Sequence, residues 1–231
     1  AITVTSADAA ADHPQDDARP DRDDRSPLRF SLAGIQLKFS AVMEASGGLS
    51  IPADGIGGSW IVKLPSARFE GVPENEFVMM ELARQIGIPV PRLKLVPLSE
   101  IENLPRDAGK MQGRALAVER FDRKPDGGRI HMEDFAQVFG VYADDKYEKR
   151  SYASIAQVLS AEAGDEGVMD FVRRLVFSIL IGNADMHLKN WSLNYRDEGS
   201  TPALAPIYDV LSTIPYIPTD SMALSLGGER S

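Results

Sequence analysis

The chain has 231 residues, 43% of them hydrophobic and none of them cysteine, which allows a sizeable core and excludes disulfides, thiolate metal sites and cysteine nucleophiles. A formal net charge of −9 argues against a direct grip on nucleic acid, because phosphate contacts draw on clustered Lys and Arg. No apolar run is long enough to span a bilayer, and the opening Ala1-Ile2-Thr3-Val4 lacks the basic-then-apolar order of a secretion signal, so the expected setting is cytoplasmic and free of membrane.

Residues 1–26 hold Asp8, Asp12, Asp16, Asp17, Asp21, Asp23 and Asp24 and read as a solvated acidic leader. Leu28–Leu32 and Leu37–Val42 then alternate like two strands, with Ala33-Gly34-Ile35-Gln36 as the loop between them. Trp60–Leu64 is a third strand, set between Gly57-Gly58 and Pro65. From Pro73 to Ile86 the spacing becomes helical, with Phe77, Met80 and Leu82-Ala83 expected on one side and Gly87 as the stop. Strands follow at Leu93–Leu98 and Ala115–Val118, and a lobe boundary is expected near Phe121. Beyond it the periodicity reads as helices over Met132–Phe139, Tyr152–Leu159 and Val168–Ile181. The expected organisation is α+β in two lobes, a β-rich one over 27–120 and an α-rich one over 121–231.

The strongest chemical signal is Gly182-Asn183-Ala184-Asp185-Met186-His187-Leu188-Lys189-Asn190, at the end of an apolar helix. Phosphoryl transfer needs a carboxylate to orient a hydroxyl and oxygen ligands for Mg²⁺, and Asp185 with Asn190 in Asp-x-x-x-x-Asn suits those tasks. Read alone, the same Asp, Asn and Gly content also suits a helix end followed by a polar turn. Downstream, Asp209 sits in the strand-like run Ala205–Val210, far enough from Asp185 for a hairpin to return it as a second metal carboxylate. Lys63 lies within an apolar strand, where a cation needs a partner, and either Glu76 or Glu81 on the following helix could supply it. Order along the chain makes these more than separate turns: Lys, then Asp-x-x-x-x-Asn, then Asp is the kinase order. The turn upstream of Lys63 has one glycine, too few for a Gly-x-Gly-x-x-Gly signature, and there is no Walker motif.

Ser31–Lys38, Trp60–Pro65, Asn75–Pro91, Val118–Arg123, Gly182–Asn190 and Ala205–Ser212 together resemble the HipA-like serine/threonine protein kinases, toxins of toxin–antitoxin modules. The resemblance implies a two-lobed protein-kinase-like fold, ATP and Mg²⁺ as cofactors, and transfer to a serine of another protein. It implies Asp185 as catalytic base and Asn190 and Asp209 as metal ligands. ATP contacts are implied at Ala33, Gly34, Ile35, Gln36, Leu37, Lys38, Lys63, Glu119, Arg120, Phe121, His187, Leu188, Lys189, Asn190, Tyr208 and Asp209, and autophosphorylation at Ser31. Implied partners are a translation component, such as an aminoacyl-tRNA synthetase, and a HipB-like helix-turn-helix antitoxin. Relatives of full length carry more helix after Met222–Leu226, so the second lobe is expected to be incomplete at its C-terminal end. The alternatives are a small-molecule phosphotransferase and a catalytically inactive kinase-like binding module.

Overall fold

The computed structural model describes residues 36–44, 47–52, 57–105, 111–142, 150–196, 202–219 and 221–228. The acidic leader, the Leu28–Leu32 strand, Ser31 and the loop residues Ala33, Gly34 and Ile35 lie outside them. Among the described residues no helix is long and apolar enough to cross a membrane.

The first half builds a sheet from β1 (Lys38–Met43), β2 (Leu49–Ser50), β3 (Trp60–Lys63), β4 (Leu93–Pro97), β5 (Ile101–Glu102) and β6 (Arg114–Glu119), ordered β4-β6-β3-β1-β2-β5. The neighbours are antiparallel except β2 and β5. The two-residue alternation of a strand divides β3 cleanly. Trp60, Val62 and Leu64 pack on Ala115 and Ala117 in an apolar core. Ile61 and Lys63 therefore point to the opposite face, where β6 presents Val118 beside them in the cleft described below. Because β3 is flanked by β1 and β6, Lys63 sits mid-sheet and not on a solvent-facing edge.

Helix α1 (Val72–Gln85) packs against β4 and β6. Its first turn contains Pro73, whose missing N–H would have no helical partner there anyway, and beyond its end Gly87 takes a left-handed φ of 81°. The buried stripe is Val72, Glu76, Met80 and Ala83, a spacing of three and four residues. Leu82, expected on that side, is instead 41% exposed. It follows Met80 by two residues, about 200° round the helix, and so faces away.

The second half combines β7 (His131–Asp134), α2 (Phe135–Val138), α3 (Tyr152–Glu162), α4 (Gly164–Leu180), β8 (Ser192–Tyr195) and β9 (Pro202–Leu204), with sheet order β7-β8-β9. The expected helix over Met132–Phe139 is corrected: Met132 belongs to β7, and the helix starts only after Asp134. Asp134 and Gln137 form a reciprocal capping box that fixes this start, while β7 pairs with β8. Ala205–Val210 is not a strand either; β9 ends at Leu204 and the chain runs on irregularly. An antiparallel β8–β9 hairpin lies between Asp185 and Asp209 in the chain, where a hairpin is expected. Under it, Phe171, Trp191, Leu188, Tyr152, Ile155 and Met186 form the main core.

After α4, Gly182 has φ +65° and its carbonyl accepts from the N–H groups of Thr213 and Ile214. A Cβ there would fall 2.3 Å from Ile214 Cδ1. Gly182→Ala is expected to lower stability by roughly 1–2 kcal/mol through the left-handed backbone alone, read as a drop in the thermal midpoint. An unchanged midpoint would remove this glycine from the constraints on the loop.

Candidate active site

The site begins with one cation and two acids. Lys63 Nζ lies 2.5 Å from Glu76 Oε1 and also donates to Asp209 Oδ1, with side-chain exposures of 8% for Lys63 and 2% for Glu76. Glu76, not Glu81, is thus the helix partner; Glu81 pairs with Arg84 on the exposed face of α1. Burial alone would pull the Lys63 ammonium down, but attraction and hydrogen bonds from Asp209 and Glu76 outweigh it and hold its pKa well above the ordinary lysine value. Asp209 is likewise pushed up by burial and pulled down further by Lys63, Lys38 and His187, ending below the usual carboxylate range. Glu76 goes the other way: burial lifts it, Lys63 offsets part of that, and the charge on Asp209 adds to the rise. One ammonium shared between two buried carboxylates neutralises only one of them, and the more buried acid bears the penalty.

Asp209 has a left-handed φ of 53°, a conformation that Asp tolerates better than most residues and that turns its carboxylate away from the run of the chain. Lys38 faces Lys63 directly across the β1–β3 ladder. Two like charges in register repel each other, so this arrangement suits a site that receives anions.

Asp185 is 6% exposed and follows the end of α4 in an irregular stretch held by its own polar groups. Its N–H donates to Asn183 Oδ1 at 3.1 Å, and Asn190 Nδ2 donates to the Asp185 carbonyl at 2.7 Å. A 3-10 turn over Leu188–Asn190 brings Asn190 back for that bond. Met186, between them, has its carbonyl bonded by Trp191 Nε1 and Tyr152 OH, which ties the loop to the core. His187 is buried, and its Nε2 lies 3.9 Å from Asp185 Oδ1. Leu188 is fully buried in the core. Lys189 contributes its carbonyl, which accepts from Tyr208 OH at 2.9 Å.

A cleft of about 240 Å³ brings together Lys38, Lys63, Glu119, Arg120, Phe121, Tyr208 and Asp209 among the expected residues. Phe121 and Tyr208 face each other with ring centroids 5.7 Å apart. The N–H groups of Glu119 and Arg120 are already used, donating to Arg92 O at 2.9 Å and Ser59 O at 2.7 Å. Gln36 and Leu37 border this region by anchoring β1: Gln36 Nε2 donates to Leu64 O, and Leu64 N–H donates to Leu37 O.

The cleft also contains Ile61, Val118, Met132 and Asp122, which the sequence does not assign to the site, although Val118 and Asp122 lie in the resembling stretch Val118–Arg123. Ile61 could have been found from Lys63, two residues along the same strand face. Asp122 takes two hydrogen bonds from Arg120, at 3.0 and 2.7 Å, and another from Arg123; burial pushes its carboxyl up, but the arginines hold it below the ordinary value. Met132 carries no usable signal, because Met132–Phe139 has the spacing of a helix.

Among the described residues no three His, Asp or Glu side chains gather into a site for a resident metal ion. Asp209 lines the cationic cleft, and a carboxylate there suits a Mg²⁺ that arrives with phosphate oxygens, the usual manner of Mg²⁺ binding.

Comparison with known proteins gives the same picture. The protein Y4dM of Sinorhizobium fredii, provisionally named a kinase, is 57% identical over 221 residues, covering 91% of this chain and 54% of that protein. The serine/threonine-protein kinase toxin HipA of Shewanella oneidensis is 29% identical over 208 residues, covering 81% of this chain and 44% of the toxin. The chain thus spans about half the length of these curated relatives. A solved structure of the Shewanella oneidensis HipA, HipB and operator DNA complex superposes with a TM-score of 0.69 at 25% identity, over 90% of this chain and 50% of the matched one. The fold is α+β and kinase-like, the relatives support a kinase-like function, and residues 30–231 match the HipA-like C-terminal domain, the family to which this chain belongs.

Proposed function

We propose that this chain carries the ATP site and phosphoryl-transfer residues of a serine/threonine protein kinase of the toxin–antitoxin type. The observation that supports this best is Lys63 shared between Glu76 and Asp209 in a cleft that Tyr208 also lines, the Tyr208 hydroxyl donating to the Lys189 carbonyl of the Asp185–Asn190 loop, whose own residues do not line the cleft. Nothing in a turn or a structural ion pair requires that combination.

In this reading the adenine ring slots between Ile61, Val118 and Met132 on the apolar side and the Phe121–Tyr208 pair. Lys63 and Lys38 meet the phosphates; the family resemblance gives their cover to residues 33–38, of which 33–35 lie outside the described residues. Asp185 accepts the proton from a substrate serine hydroxyl as its oxygen attacks the γ-phosphorus and the bond to the β–γ bridging oxygen breaks, leaving ADP. Asn190 and Asp209 would hold Mg²⁺, which when bound neutralises charge on the phosphate oxygens. His187, its Nε2 3.9 Å from Asp185 Oδ1, would orient the base.

Ser31, two residues before Ala33 in the sequence and outside the described residues, is proposed as an autophosphorylation site, where a phosphate would add nearly two negative charges to the segment and oppose ATP binding. The protein substrate is proposed to be a translation component, and the partner a basic helix-turn-helix antitoxin that attracts this acidic chain and contacts DNA for both.

Asp209→Asn tests the metal assignment. It keeps the shape but removes the charge that holds the cation, and should raise the Mg²⁺ concentration needed for half-maximal transfer by at least an order of magnitude. An unchanged Mg²⁺ titration would return Asp209 to a purely structural role.

A further inference from the structure

One side chain outside the cleft joins the two halves of the machinery. Asn75, in the first turn of α1, donates from Nδ2 to the Ser212 carbonyl at 3.0 Å and accepts from the Ser212 N–H at Oδ1, also at 3.0 Å. One amide thereby satisfies both backbone groups of one residue, as a neighbouring strand would, and only a side chain with a donor and an acceptor on one plane can do so. Asn75 directly precedes Glu76, and Ser212 follows Asp209 by three residues. Beneath this pairing Val72 of α1 and Leu211, each 2% exposed, form a small apolar cluster with Phe69, Tyr216 and Ile217, separate from the main core.

The next residue carries the connection onward. Thr213 donates from its N–H and its hydroxyl to the Gly182 carbonyl, at 2.9 and 3.1 Å, and its Oγ1 accepts from the Ala184 N–H at 3.0 Å. Ala184 immediately precedes Asp185. The Ser212-Thr213 dipeptide is therefore bonded to the Glu76 helix on one side and to the Asp185 loop on the other. Asn75 reaches this path from α1 through its side-chain amide, and it does not line the cleft itself.

We propose that Asn75 is a positioning residue for phosphoryl transfer: by clamping Ser212 it fixes α1 against the 209–213 segment, and so sets Glu76, Lys63 and Asp209 in one register with Asp185. The proposal rests on the functional reading above. Without the clamp, α1 can slide relative to the segment, and the shared Lys63 cannot meet both acids at once. A misplacement of about 1 Å far from the reacting atoms is enough to lower a rate by roughly 10²-fold.

The test compares Asn75→Leu, close in volume but unable to bond, with Tyr216→Phe, which removes only the hydroxyl 3.3 Å from Asn75 Nδ2 and keeps the ring on Phe69. Transfer from Mg·ATP is measured alongside site-resolved amide exchange in nucleotide-free protein. Asn75→Leu should lower kcat by about 10- to 100-fold with a much smaller change in KM for ATP, and should speed exchange at the Ser212 amide and across 209–214. Tyr216→Phe should leave both near wild type. Wild-type kcat and Ser212 exchange in Asn75→Leu would overturn the proposal, as would exchange that rises uniformly along the chain, the mark of a merely structural role. A wild-type protein with neither Mg·ATP affinity nor transfer would remove the kinase reading, and this proposal with it.

Discussion

Asp185→Asn is expected to leave the fold intact and to lower phosphoryl transfer by roughly 10²–10⁴-fold, the usual worth of a positioned general base. The substituted amide keeps the shape, so the backbone bonds that hold the loop survive: Asp185 N–H to Asn183 Oδ1, and Asn190 Nδ2 to the Asp185 carbonyl. What is lost is the ability to take a proton from the attacking hydroxyl. Thermal midpoint and Mg·ATP affinity should remain close to wild type while kcat collapses, which places the loss in the transition state and not in binding. Near-wild-type turnover by a folded variant would take Asp185 out of the mechanism.

Lys63→Met is expected to have the largest effect on stability. It removes the one ammonium that serves Glu76 and Asp209, both now facing each other across a site that excludes most water. Breaking a buried ion pair from one side costs roughly 3–5 kcal/mol, because the remaining charge is left without a partner. Lys63→Met/Glu76→Met should recover a large part of that loss, since two apolar side chains can fill the space and Asp209 keeps 17% exposure. Urea midpoints at constant slope measure both changes. Equal losses in the single and double variants would mean that the pair contributes through packing and not through charge. Activity should be absent from both, because nucleotide phosphates lose their cation in each.

Much of this was legible in the sequence, for reasons that differ by element. β3 and α1 were found because alternation in Trp60–Leu64 and the Pro73 and Gly87 boundaries are local signals that the tertiary structure did not override. Placing Lys63 inside the sheet was anticipated as a need for a partner, but the choice between Glu76 and Glu81 required the direction of the helix stripe, and an acid in an apolar stripe is easily discounted. The strands β8 and β9 went unread because four and three residues are too few to show a period. Met132–Phe139 looked helical for a related reason: a short strand and a short helix in succession imitate helical spacing, and only the Asp134 cap separates them. The Asp185–Asn190 and Asp209 assignments rest on order along the chain and on family resemblance, whereas the Asn75 clamp is not legible as a pairing even though Asn75 opens one of the resembling stretches, since a bond to a backbone group leaves no paired residue type to recognise.

The most direct test of the central claim is transfer of the γ-phosphate of labelled ATP, in the presence of Mg²⁺, to serine in this protein or in a phosphatase-treated extract, by wild type and Asp185→Asn side by side. The account predicts label on phosphoserine with wild type, dependent on Mg²⁺, and next to none with Asp185→Asn. Absence of both nucleotide binding and transfer in the folded wild type, or equal labelling by the two proteins, would contradict it.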